Sequence, residues 1–202
     1  MKFDAELTDS LKELANIGAA HSATTLSQMV SSQIDMSVPD IDLVDISRVG
    51  DLISDNITTM VIFELQGDVP NGGYLVLELP GESAARMAGI LVGSTDTNNH
   101  FTEMEQSAIL EVGNIMISAF LSAASDLLGF IMLPSPPILV VDMAHAAITS
   151  LIAQMTMDVD DVLLFRVQLN TPENDISGNM LIFLEVGMLE KIAARMKEMV
   201  AG

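Results

Sequence analysis

Two trios of polar residues recur along the chain at one spacing. Asp9, Glu13 and Asn16 are followed by Pro39, and Ser107, Glu111 and Asn114 by Pro137, each member 98 positions after its counterpart. The pattern reads Asp or Ser, three residues, Glu, two residues, Asn, twenty-two residues, Pro. The neighbours repeat too, as Asn16-Ile17 and Asn114-Ile115. A carboxamide donates and accepts hydrogen bonds at once. It can therefore hold a water in line with a phosphoryl group that a metal and a carboxylate have already activated. A glutamate one turn away can pair with a lysine on a phosphoprotein and so dock the helix. It could also act as a general base, but nothing in the sequence suggests surroundings that would tune it.

On a helix, positions i, i+4 and i+7 fall within about 60° of one another, so each trio shares one face. Leu7, Leu11, Leu14 and Gly18 lie opposite the first trio, and Ile109, Val112, Met116 and Ala123 opposite the second. The trios should face solvent while the helix backs pack inward. A polar outer face is the default for any surface helix. Solvation alone, however, gives two helices no reason to keep Glu and Asn at identical spacing while most of the sequence around them differs.

The elements that must position these residues also come in two rounds, which predicts a pseudo-twofold molecule. The first round is a long helix over 5–30, strands at Ile41–Val49, Thr58–Gln66 and Tyr74–Leu79, and a short helix at Gly81–Gly93. The turn Pro70-Asn71-Gly72-Gly73 marks a hairpin, and Ser94–His100 is a polar linker. The second round is a long helix from Thr102 to Leu128, a turn at Pro134, Pro136 and Pro137, and a strand at Ile138–Asp142. A helix at Ala144–Met155, strands at Asp161–Asn170 and Asn179–Val186 around a loop over Thr171–Gly178, and a helix at Met188–Val200 follow. The expected fold class is α/β: a duplicated domain, residues 1–202, with halves of about 1–98 and 99–202, in which an antiparallel sheet packs against two long motif-bearing helices.

Composition excludes several function classes. Half of the 202 residues are hydrophobic, with mean hydropathy +0.44, which suits a folded core and not a disordered chain. The richest apolar stretch, Ile115–Leu133, is interrupted by Ser118, Ser122, Ser125 and Asp126, and no membrane insertion is expected. The start, Met1-Lys2-Phe3-Asp4, has no apolar segment of the secretory kind, so a cytoplasmic protein is expected. There is no cysteine, which removes disulfides, thiolate metal sites and cysteine nucleophiles. A net charge of −20 repels phosphate backbones, and with one Tyr and no Trp there is little to stack on bases, so no nucleic acid is expected. His21, His100 and His145 share no ligand spacing, and neither Ser22 nor Ser107 has nucleophile-elbow glycines. No phosphate loop ending in Lys-Ser or Lys-Thr is present. The 15 methionines are best read as core packing.

At Asp9/Ser107, Glu13/Glu111, Asn16/Asn114 and Pro39/Pro137 the sequence resembles the CheC, CheX and FliY phosphatase family, whose signature is this arrangement. The resemblance spans the whole chain, and two complete motifs match its CheC branch. It departs at Ala20-His21, where members often show Gly-Asn. The resemblance implies hydrolysis of the aspartyl phosphate of the response regulator CheY. Asn16 and Asn114 would enter beside the acyl phosphate, and Glu13 and Glu111 would grip the regulator's lysine, with Asp9, Pro39, Ser107 and Pro137 supporting the motif. It further implies no cofactor of the chain's own, magnesium carried by CheY, and the receptor deamidase CheD as a second partner. The alternative it leaves open is a binding module without useful turnover that sequesters CheY-phosphate or regulates CheD.

Overall fold

The computed structural model describes residues 5–68, 73–94, 101–154, 161–171 and 173–201. Two 26-residue helices, α1 (Ala5–Val30) and α3 (Glu103–Leu128), each open a round of elements. After α1 come β1 (Asp35–Asp45), a 3-10 turn over Ile46–Leu52, β2 (Ile57–Gly67), β3 (Gly73–Pro80) and α2 (Gly81–Val92). After α3 come β4 (Met132–Pro134), β5 (Ile138–Met143), α4 (Ala144–Ile152), β6 (Asp161–Thr171), β7 (Ile176–Glu185) and α5 (Val186–Ala201).

The strands form one antiparallel sheet in the order β1-β6-β7-β3-β2, with β4 and β5 in succession along the far side of β2. Exchanging β1 for β5, β2 for β6 and β3 for β7 leaves that order unchanged when read from the other end. The pseudo-twofold axis therefore passes between β3 and β7. Each edge strand pairs with a central strand of the other round, β1 with β6 and β5 with β2, so neither round closes a sheet alone. At the axis the backbones come close at two equivalent places, since 178 − 73 and 183 − 78 are both 105. A side chain on Gly73 (φ +121°) would strike the Phe183 carbonyl, and a Cβ on Gly178 would stand 2.7 Å from the Glu78 carbonyl. Only glycine fits such an approach.

The sheet is buried on both faces, which explains why its central strands are nearly continuous apolar runs. On one face Val61, Phe63, Leu75, Leu77, Phe165 and Ile182 meet α1, α2, α3 and α5. On the other, Met60, Ile62, Val76, Leu164 and Phe183 meet α4 and the 3-10 turn through Ile148, Leu151 and Val49. A layer on this second face goes beyond the expected picture of long helices over a sheet.

Several boundaries differ from those the sequence suggests. The first strand begins at Asp35, because a register shift between Ser37 and Asp40 absorbs Pro39 within it. It also ends at Asp45, whose carboxylate caps the 3-10 turn by accepting the Ser47 N–H at 2.9 Å. Ile46–Val49 is therefore helical turn and not strand. β7 starts at Ile176, three residues early, since Thr171 Oγ1 accepts the Ile176 N–H and tightens the loop. The turn at 70–72, the linker at 95–100 and Met155 lie outside the described residues. Among those described, one helix, α3, is long and apolar enough by length and composition to cross a bilayer, despite its serines and Asp126. Its apolar side is used within the fold: Ile109, Val112, Met116 and Ile117 are fully buried.

Candidate functional site

The second trio sits on a helix with a well-made start. Thr102 accepts the Glu105 N–H, and Glu105 accepts the Thr102 N–H at 2.8 Å, a reciprocal capping box. Both long helices stop on a left-handed residue at equivalent positions, Ser31 (φ +52°) and Gly129 (φ +73°). Equivalent serines then anchor the following chain. Ser27 Oγ accepts the Ile34 N–H at 3.1 Å and Ser125 Oγ the Met132 N–H at 3.0 Å, both members again 98 apart. Each tie is local, joining a residue of the last helical turn to the backbone seven positions on.

The helices meet at a crossing made of two symmetry-related contacts. A Cβ on Gly18 would lie 2.5 Å from the Phe120 ring, so the ring occupies the space above the glycine. Ser22 Oγ donates to the Met116 carbonyl at 2.8 Å. Because 116 − 18 and 120 − 22 are both 98, the axis runs through this crossing. As residue numbers rise on α1 they fall on α3, so the helices run in opposite senses.

Each helix buries one side. In α1, Leu11, Leu14, Ala15 and Ala19 are buried, and in α3, Ile109, Val112, Met116 and Ala123. The trios lie opposite: Asp9, Glu13, Asn16, Ser107 and Glu111 are exposed and Asn114 is half-buried. The side chain of Leu7 lies outside the described ones. Both helices pack on the same face of the sheet, so both trios point to the same side of the molecule. Among the described residues, Glu13, Asn16, Glu111 and Asn114 have no side-chain hydrogen bond or ion pair. Four chemically able groups are thus held outward by rigid helices and spent on nothing internal.

The two sites are not identical. Ser107 Oγ donates to the Glu103 carbonyl at 2.8 Å, so this hydroxyl turns back onto its own helix, whereas Asp9 presents a carboxylate. One turn beyond each Asn, the first face has Ala20 and the second Ser118, a half-buried hydroxyl that the sequence reading leaves aside. Pro39 and Pro137 occupy equivalent places in the edge strands, the first at the β1 register shift and the second just before β5. They break the ladder where a residue without an N–H is tolerated. The side chain of Pro39 lies outside the described ones. A cleft of about 470 Å³ between α4 and the sheet, lined by Ile62, Tyr74, Val140 and Leu151, lies on the opposite face and contains no trio residue. No group of three or more His, Asp or Glu that could hold a metal occurs among the described residues.

The comparisons agree with this duplicated layout. The family model described as the CheC-like family matches residues 8–42 and 104–141, the two stretches that run from each trio to its proline. The chain is 25% identical over 194 residues to the CheY-P phosphatase CheC of Bacillus subtilis, covering 93% of this chain and 92% of that one. It is 28% identical over 187 residues to the putative CheY-P phosphatase CheC1 of Halobacterium salinarum, covering 91% and 92%. In fold it is similar to the crystal structure of Thermotoga maritima FliY, with TM-score 0.81 at 21% identity over 98% and 99% of the chains. It is also similar to the CheX-CheY-BeF3-Mg²⁺ complex from Borrelia burgdorferi, with TM-score 0.54 at 18% identity over 86% and 97%. In its two motif stretches the chain is similar to the CheC-like family, and its fold is shared with FliY and CheX.

Proposed function

We propose that the chain is a phosphatase of the chemotaxis response regulator CheY, acting as one domain of two halves, about 1–98 and 99–202. The observation that carries this reading is the pair of outward Glu/Asn faces, with all four side chains free. The names of the relatives and the CheX-CheY neighbour support it.

In the proposed reaction the regulator's phosphoaspartate approaches α1 or α3. Its own magnesium withdraws charge from the phosphoryl oxygens. Asn16 or Asn114 accepts a hydrogen bond from the attacking water at its carboxamide oxygen and donates its N–H to the phosphoryl group, fixing the water in line. The water oxygen bonds to phosphorus and the bond from phosphorus to the aspartyl oxygen breaks. The aspartate leaves as carboxylate, and the proton released from water ends on inorganic phosphate. Glu13 or Glu111 pairs with the regulator's lysine and holds the complex. Asp9, Ser107, Pro39 and Pro137 shape the motif around these groups. Both glutamates are solvent-exposed, which suits docking better than general-base chemistry.

We place this activity in the cytoplasm, where a regulator of this kind works, with CheD as a further partner through the family resemblance. Free carboxamides favour turnover over simple sequestration. The test is the lifetime of phosphorylated CheY with magnesium, alone and with this protein, for wild type, Asn16→Ala, Asn114→Ala and the double variant. A shortened lifetime that only the double variant abolishes is the expected outcome. A lifetime unchanged by wild type, with CheY-phosphate still bound, would replace it with the binding-module alternative.

A further inference from the structure

We infer that the two Glu/Asn faces share one landing area, so that the molecule holds a single phosphorylated regulator domain at a time although both sites are complete. The inference rests on the function proposed above and concerns how its two sites divide the work.

The geometry follows from the crossing. The contacts Gly18 with Phe120 and Ser22 with Met116 put its centre beside residue 20 on α1 and residue 118 on α3. Asn16 and Asn114 each stand four residues before that centre. With a rise of about 1.5 Å per residue and helices running in opposite senses, they lie about 12 Å apart along the helix direction. Helices packed side by side add about 8–10 Å laterally, giving a separation of about 15 Å. Glu13 and Glu111, seven residues before the centre, are about 21 Å apart along the same direction. The midpoints of the two Glu/Asn pairs are thus about 20 Å apart on one side of the molecule.

A specific protein interface covers about 800 Å² on each partner, a disc of roughly 16 Å radius. Two such discs need centres about 32 Å apart to avoid overlap, and these fall well short of that. Domains of about 100 residues, with radii of gyration near 13 Å, would collide above the surface as well. Ala20 is exposed and Ser118 half-buried at the middle of the area, where a domain seated on either motif would cover them.

Duplication then raises the chance of productive capture without raising the ceiling on turnover. If binding is exclusive, kcat/KM of the whole protein is the sum of the two sites' values, while its kcat lies between theirs. If the sites are independent, both quantities add.

The experiment uses the full chain and two variants that each disable one site by substitutions outside the core, Glu13→Ala with Asn16→Ala and Glu111→Ala with Asn114→Ala. CheY held in its phosphorylated form by beryllofluoride and magnesium is titrated in, and the mass of the complex is read by sedimentation. One regulator per chain at saturation, for wild type and both variants, is expected. Phosphatase assays should give a wild-type kcat no higher than that of the faster variant, with additive kcat/KM. Two regulators on wild type and one on each variant, with additive kcat, would overturn the inference and leave the phosphatase reading standing. Neither a complex nor a shortened lifetime of CheY-phosphate with wild type would overturn both.

Discussion

Ser22 Oγ donates a hydrogen bond of 2.8 Å to the Met116 carbonyl, so the hydroxyl of one motif helix is satisfied by the backbone of the other. The donor is fully buried and lies one turn from Gly18, whose missing side chain admits Phe120. Position and orientation of the two Glu/Asn faces relative to each other depend on this contact.

Two variants test the crossing. Ser22→Ala removes one buried hydrogen bond and should lower stability by about 1 kcal/mol. Gly18→Ala forces a methyl group against the Phe120 ring and should cost about 1–3 kcal/mol, with the helices pushed apart. Denaturant titration of both variants measures these losses. If Gly18→Ala were as stable as wild type, the helices would not pack as closely as described.

The roles of Glu and Asn separate in kinetics. Asn16→Ala with Asn114→Ala should reduce turnover of CheY-phosphate by about 10²-fold or more while binding persists, as for loss of a positioning donor. Glu13→Ala with Glu111→Ala should weaken binding as well. Intact affinity and rate in the glutamate double variant would refute docking by these carboxylates.

Thr59 on β2 is almost fully buried, and its hydroxyl has no hydrogen-bond partner. Thr59→Val replaces it with an apolar group of the same shape. It should leave stability unchanged or raise it by up to about 1–2 kcal/mol, because an unsatisfied buried polar group is removed. A clear loss of stability in thermal unfolding would mean that the hydroxyl is bonded after all.

Tyr74 is held above the ordinary phenol range, first by burial and then by the carboxylates of Glu64 and Glu185. A raised pKa in the folded state means that folding favours the protonated phenol. Its contribution to stability is therefore fully present below the unfolded value of 10.0 and is lost as pH rises through the folded one. Tyr74 is the chain's one tyrosine and there is no tryptophan, so near-ultraviolet absorbance follows it alone. The midpoint should lie above 10.0 in the native protein and fall to it in denaturant. Equal midpoints in the two states would show that the ring is not buried.

The sequence by itself determined the two long helices and the outward direction of Asp9, Glu13 and Asn16 and of Ser107, Glu111 and Asn114. Both rest on periodicity: apolar residues at helical spacing fix the buried side, and the trio lies opposite. The central strands were legible for a similar reason, since short apolar runs between turn residues leave few alternatives. What the sequence did not determine was every feature made by residues distant along the chain. The kink at Pro39 suggested a strand start, whereas pairing with β6 carries β1 through it. Gly73 and Gly178 looked like ordinary small residues until the strands they touch were in place. The antiparallel crossing of α1 and α3, which puts the two Asn residues on one side of the molecule, was likewise decided by tertiary structure. Spacing along a helix sets only which way a side chain points from its own axis. Where two axes lie relative to each other is set by the packing between them, here by Gly18 on Phe120 and Ser22 on Met116.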